Sequence, residues 1–77
     1  MGIEVKFFAS LRERLGRDGM TIDADGVSNV RDAWRQATQS ADYPANTLCA
    51  INMQYAKPDD AVQDGDEVAF FPPVTGG

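Results

Sequence analysis

The chain has 77 residues, of which 43% are hydrophobic and 25% charged, and it carries a net charge of −5 with no histidine. This composition predicts one small domain, and the acidity argues against nucleic acid or an anionic membrane as a partner. Because histidine is the commonest general base and metal ligand, we expect no independent catalytic centre, no metal site and no bound cofactor.

The first elements in chain order are a strand, a short helical turn and a second strand. Residues 3–7 alternate between apolar and charged side chains, which predicts a strand with one buried face. Ser10 and Glu13 fit a capping box, and Gly16 suits a left-handed stop, so a short helical turn is expected between them. Residues 20–23 alternate again and predict a second strand, the hairpin partner of the first.

The main helix is predicted over residues 29–39. Ser28 is a suitable N-cap, and apolar residues follow at helical spacing. They are Val30, Ala33, Trp34 and Ala37. This spacing predicts that Trp34 belongs to the core rather than to a binding site.

Two strands are predicted after the loop at residues 40–46. The first covers residues 48–53, where Cys49 alternates with other apolar residues and is interpreted as a small core side chain. Asn52 is expected to fix a turn through side-chain hydrogen bonds. The last strand is predicted over residues 67–71. Acidic residues crowd the turns between the two strands without the spacing of a calcium loop, and we interpret them as solvated.

The element order strand, strand, helix, strand, strand predicts an α+β fold, a mixed sheet with one main helix packed on one face. Residues 1–71 are expected to form the domain and residues 72–77 a flexible C-terminal tail. No apolar run is long enough to span a membrane and no signal peptide is visible, so a cytoplasmic protein is expected.

The opposite face of the sheet is predicted to be uncovered and to carry exposed aromatic residues. Strand alternation turns Phe8 and Phe71 to this face, and Tyr55 is expected to join them. Exposed aromatic side chains rimmed by charge are typical of a protein interface. The alternative is that a bulge, or the helical turn at residues 10–16, buries one of the rings.

The chain ends in a slim, extendable segment. It consists of Pro72, Pro73, Val74, Thr75, Gly76 and Gly77. The prolines favour an extended exit, and the glycines carry no side chain, so the tip can enter a narrow channel. Six extended residues reach roughly 20 Å. We interpret the segment as a delivery arm with its reactive carboxylate on Gly77. The alternative is a tail without function.

Three stretches resemble the molybdopterin synthase small subunit family, whose fold is the ubiquitin-like β-grasp. They are residues 5–13 with the sequence VKFFASLRE, residues 50–52 with AIN, and residues 64–77 with DGDEVAFFPPVTGG. The resemblance covers the whole chain. The terminal Gly-Gly is a weak signal alone and a specific one when FFPPVT precedes it.

The resemblance implies a sulfur carrier. An activating enzyme with a ubiquitin-activating-type fold uses ATP to adenylate the carboxylate of Gly77, and sulfur from a donor protein replaces AMP to give a thiocarboxylate. The tail then enters the large synthase subunit, in a heterotetramer of two small and two large subunits, and passes sulfur to cyclic pyranopterin monophosphate. In this chemistry the carrier needs no catalytic side chain of its own.

The resemblance also implies site residues. Gly77 is the reactive residue, and Gly76, Thr75 and Val74 give it access to partner active sites. Phe8 and Phe71 are docking residues shared by the activating enzyme and the synthase partner, and Tyr55, Pro72 and Pro73 are also expected at the partner interface. Three alternatives remain open: a carrier of the thiamine-pathway type, a ubiquitin-like modifier that forms isopeptide bonds, and a plain interaction module.

Overall fold

The computed structural model describes residues 2–73, which form five strands and two helices. The elements are β1 (Gly2–Phe7), α1 (Ala9–Leu15), β2 (Gly19–Asp23), α2 (Val30–Thr38), β3 (Leu48–Ile51), β4 (Gln54–Ala56) and β5 (Glu67–Phe71). The strands form one sheet in the order β2-β1-β5-β3-β4. β5 runs parallel to β1 and antiparallel to β3, so the predicted α+β fold with a mixed sheet is confirmed.

The core lies between the sheet and α2 and is centred on Trp34. The Trp34 ring lies 5.0 Å from Phe70, 5.5 Å from Tyr43 and 6.0 Å from Phe7, measured between ring centroids. Its indole nitrogen donates a hydrogen bond to the Asp42 carbonyl at 3.0 Å. The predicted core position of Trp34 is therefore confirmed. The loop after α2, in which the sequence shows no motif, supplies Tyr43 to the core.

The start of each helix differs from the prediction. α1 begins at Ala9, and only its N-cap residue Phe8 separates it from β1. Phe8 makes no side-chain capping bond, so the predicted capping box at Ser10 is wrong. Ser10 lies inside the helix, while Gly16 ends it in the predicted left-handed conformation, with φ 71°. α2 is capped by Asn29 instead of Ser28, because the Asn29 side chain accepts a hydrogen bond from the Asp32 amide.

The predicted third strand is in fact a hairpin. β3 ends at Ile51, the chain reverses through Asn52 and Met53, and β4 returns with Gln54 paired to Ile51. The sheet therefore has a fifth strand, β4, at its edge. The hairpin also places Tyr55 inside a strand rather than after one.

Candidate functional site

The sheet has one face without a helix over it in the described chain, and we call it the outer face. Paired residues in neighbouring strands present their side chains to the same face. Tyr55 pairs with Ala50, Ala50 with Ala69, and Ala69 with Lys6. These four residues therefore form one row across the outer face. Three of the four are apolar or aromatic, so the row is a largely apolar strip.

Phe8, Phe71 and Tyr55 all lie on the outer face. Phe7 pairs with Phe70 in the core, so Phe71, the last residue of β5, and Phe8, which follows β1, turn to the opposite face. Phe8 is 49% exposed and Tyr55 79%, while Phe71 is half-buried. The rings of Tyr55 and Phe71 lie 5.8 Å apart. The exposure of Phe8 confirms that α1 does not bury its ring, and its use as a partner contact stays a prediction.

Charged residues lie beside the apolar strip. Glu4 pairs with Glu67 across β1 and β5, on the same face as the strip. The Glu4 carboxylate accepts a hydrogen bond from the Thr21 hydroxyl at 3.2 Å. A shallow depression of about 650 Å³ opens here, and its lining includes Phe8, Met53 and both glutamates. Asp18, Lys6 and Arg12 line the same depression, so the outer face combines apolar anchors with charges of both signs and suits a partner surface with an apolar pocket and complementary charges at its edge.

The described part of the tail leaves from the centre of the sheet. β5 is hydrogen-bonded on both sides, and the Phe8 amide adds a bond to the Phe70 carbonyl at 3.1 Å. Pro72 is half-buried and Pro73 is exposed. The remaining tail residues of the prediction, Val74, Thr75, Gly76 and Gly77, lie outside the described residues. The rigid sheet therefore fixes where the tail starts, beside the aromatic residues of the outer face.

The Cys49 thiol is unsuited to carrying sulfur. Cys49 is buried, as predicted, and its thiol donates a hydrogen bond to the Ala56 carbonyl at 3.2 Å. Burial raises the pKa of the Cys49 thiol, which disfavours the nucleophilic thiolate. Burial also raises the pKa of the neighbouring Tyr43, whose hydroxyl donates to the Thr47 carbonyl at 3.2 Å.

Within residues 2–73, no cluster of three or more acidic, cysteine or histidine side chains could hold a metal ion. The described helices are also too short and too polar for any of them to cross a membrane. Over this part of the chain, the feature best suited to function is the outer face together with the strand that leads into the tail.

The hairpin turn at Asn52 and Met53 adds to the outer face a residue that sequence reasoning missed. The Asn52 side chain donates to the Asp66 carboxylate and accepts from the Glu67 amide, both at 3.0 Å, which confirms its predicted turn-fixing role. Met53 follows at the tip of the turn and is 90% exposed. The available signal was Asn52 itself, since asparagine favours the first position of a tight hairpin turn.

Comparison with known proteins identifies relatives over the full length of the chain. A profile of the ThiS family matches residues 5–77. The molybdopterin synthase sulfur carrier subunit of Escherichia coli strain K12 is 40% identical over 84 aligned residues, which cover 97% of this chain and 99% of the relative.

Solved structures with the same fold include an archaeal modifier protein and a molybdopterin-converting factor subunit. The crystal structure of SAMP1, small archaeal modifier protein 1, from Haloferax volcanii has a TM-score of 0.82 and 29% identity, covering 100% of both chains. A protein–protein complex of subunits 1 and 2 of the molybdopterin-converting factor from Helicobacter pylori contains a chain with a TM-score of 0.65 and 20% identity, again with 100% of both chains covered. At that identity the second likeness concerns the fold alone.

Proposed function

The chain belongs to the ThiS family, and from this we propose that it is the sulfur carrier subunit of a molybdopterin synthase. The observation that carries the proposal is the 40% identity to a carrier of that name over nearly the whole length of both chains. A carrier needs a stable body, a docking surface and an accessible terminus. The outer face and the central position of β5 suit the first two of these requirements.

The chemistry takes place at the terminal carboxylate of Gly77. A carboxylate is a poor acyl donor because its leaving group would be oxide. Adenylation by a ubiquitin-activating-type enzyme, with ATP as the co-substrate, converts this oxygen into a good leaving group. A persulfide on a donor protein then attacks the acyl carbon and expels AMP, and a second thiol cleaves the S–S bond of the resulting acyl disulfide, which releases the thiocarboxylate and leaves a disulfide on the donor. The absence of a side chain at Gly76 and Gly77 allows the α-phosphate to approach.

The thiocarboxylate transfers its sulfur in the active site of a large catalytic subunit. The acceptor is cyclic pyranopterin monophosphate, and two such transfers form the dithiolene of molybdopterin. We propose a heterotetramer of two small and two large subunits, located in the cytoplasm. Phe8, Tyr55 and Phe71 are the anchors for docking, and Pro72 and Pro73 direct the tail into the partner.

Sulfur loading provides the direct test. The full chain is incubated with a cognate activating enzyme, ATP and a sulfur source, and its intact mass is measured. Exchange of one oxygen for sulfur adds about 16 Da, and fragmentation should locate the gain on Gly77. The loaded protein mixed with the large subunit and the pterin precursor should yield molybdopterin and regain its original mass. A chain that stays at its original mass throughout would overturn the proposal.

A second candidate function is protein modification, favoured by the likeness to SAMP1. Here a lysine amine rather than a sulfur nucleophile attacks the acyl adenylate, and an isopeptide bond to the target forms. The same incubation with added cell extract distinguishes the two: a modifier gives high-mass lysine adducts. A carrier of the thiamine-pathway type would load sulfur without converting the pterin precursor.

A further inference from the structure

We propose that Met53, at the tip of the β3–β4 hairpin, is a partner-recognition residue that inserts into an apolar pocket of the catalytic subunit. This inference rests on the proposed function, because it takes the protein that accepts the tail as its occupant. Met53 is then a further anchor beside the aromatic residues. Within residues 2–73, its side chain faces solvent at the rim of the outer face.

The backbone at Met53 is unfavourable for a methionine. The hairpin joins Ile51 to Gln54 through two residues, and both have positive φ, 50° at Asn52 and 70° at Met53. Such a two-residue turn favours asparagine followed by glycine, because a Cβ atom crowds the backbone in the left-handed region. Methionine at the second position is therefore a local conflict between residue type and conformation.

The fold does not require the methionine side chain. Asn52 holds the turn through its bonds to Asp66 and Glu67, and its own amide donates to the Glu67 carbonyl at 2.8 Å. Met53 is 90% exposed and lies outside the core cluster. A strained conformation that contributes nothing to packing points to a contact made outside the chain.

The position of Met53 indicates what it contacts. It lines the depression of the outer face together with Phe8 and Ala69, so it continues the apolar strip. Glu4, Asp18 and Glu67 line the same depression together with Lys6 and Arg12, so its rim carries charges of both signs. A partner that fits has an apolar pocket with basic groups opposite the acids and acidic groups opposite Lys6 and Arg12. The unbranched thioether adapts to an irregular pocket at low cost in strain.

Affinity for the large synthase subunit provides the test, measured by titration calorimetry on the full chain. Met53→Gly and Met53→Asn both suit a positive φ and both remove the apolar side chain. We expect each to weaken binding about tenfold or more, while the melting temperature of Met53→Gly stays equal or rises. Met53→Leu, which keeps the apolar volume, should bind within about threefold of the original chain.

The control is Gln54→Ala, which truncates the next residue, exposed but on the opposite face of β4. Its affinity should stay unchanged. Equal affinity of Met53→Gly and the original chain overturns the role of Met53 while sulfur loading of Gly77 stands. A lower melting temperature for Met53→Gly also overturns it, because the side chain would then support the fold. If the original chain neither loads sulfur nor binds the subunit, the proposed function fails, and the role of Met53 fails with it.

Discussion

Asn52 and Asp66 are 14 residues apart in the sequence, yet a 3.0 Å hydrogen bond joins the Asn52 Nδ2 atom to the Asp66 Oδ1 atom. The second side-chain oxygen of Asp66 accepts a bond from the Gln63 amide at 2.9 Å. Through this pair, the β3–β4 hairpin is attached to the turn that precedes β5. The pair therefore holds the start of β5 against the hairpin at the sheet edge.

Removing the Asn52 side chain should destabilise the fold through two separate effects. Asn52→Ala loses the bonds to Asp66 and Glu67 and forces alanine into φ 50°, so we expect a loss of about 2 kcal/mol in the free energy of unfolding. Asn52→Gly loses the same bonds but accepts the backbone conformation, so it should lose less. Urea unfolding measures both. Equal losses would show that the backbone conformation at this position carries no strain.

The Asp66 carboxyl should make stability depend on pH at the acid end. The Gln63 amide, followed by the Asn52 side chain, holds the pKa of Asp66 below its ordinary value of 3.8. A carboxyl with a lowered pKa in the folded state stabilises the fold above its unfolded pKa. That contribution disappears as the pH falls through the lower pKa of the folded state.

The urea midpoint, measured from neutral pH down to acid, should therefore fall more steeply for the original chain than for Asp66→Asn. Asp64→Asn is the matched control, since Asp64 is an exposed acid of the same turn without a side-chain hydrogen bond among residues 2–73. Its curve should keep the steepness of the original chain. Parallel curves for all three proteins would contradict a stabilising role of the ionised Asp66.

The parts of the fold that follow a simple period could be predicted from the sequence. Alternation identified β1, β2 and β5 and turned Phe8 and Phe71 to the outer face, because a two-residue period has only two faces to choose between. β4 was missed because it has three residues and its turn lacks the usual glycine after Asn52. The start of α1 was missed because Ala9, at φ 54°, turns the chain into the helix without a side-chain cap.

Met53 could not be found by the same reasoning. If residues 48–53 formed one continuous strand, Met53 would be an ordinary strand residue. It lies at an exposed tip because the chain reverses there. The register of a short hairpin is set by its turn, so an unrecognised turn hides every position that depends on it. The docking surface was thus predictable along the long strands and unpredictable at the sheet edge.

Alanine substitutions at Phe70 and Phe71 should have different effects, the first on the stability of the fold and the second on partner binding. Phe70 is fully buried and stacks against Phe7 with 6.0 Å between centroids, so Phe70→Ala should cost about 3–5 kcal/mol. Phe71 is half-buried on the outer face, so Phe71→Ala should cost about 1 kcal/mol or less. It should nevertheless weaken binding to the large subunit. A loss of several kcal/mol for Phe71→Ala would place its ring in the core instead.

The Cys49 thiol should be unreactive in the folded protein and dispensable for sulfur loading. Because the thiol is buried and bonded to the Ala56 carbonyl, labelling with an aromatic disulfide reagent should require local opening. We expect slow labelling in buffer and rapid labelling in urea. Cys49→Ala should still gain about 16 Da on incubation with the activating enzyme, ATP and a sulfur source. Loss of that gain in a folded Cys49→Ala protein would show that sulfur loading depends on the thiol.

Extending the terminus should abolish sulfur loading without affecting the fold. An alanine added after Gly77 moves the carboxylate beyond the position where the activating enzyme meets it and introduces a side chain where the proposal requires none. Its melting temperature should match the original chain, and intact mass spectrometry should show no gain. The control carries the same alanine before Met1, far from the reactive end in sequence, and should load normally. Normal loading of the C-terminally extended protein would show that the activating enzyme accepts a longer tail. The delivery-arm interpretation would then fail.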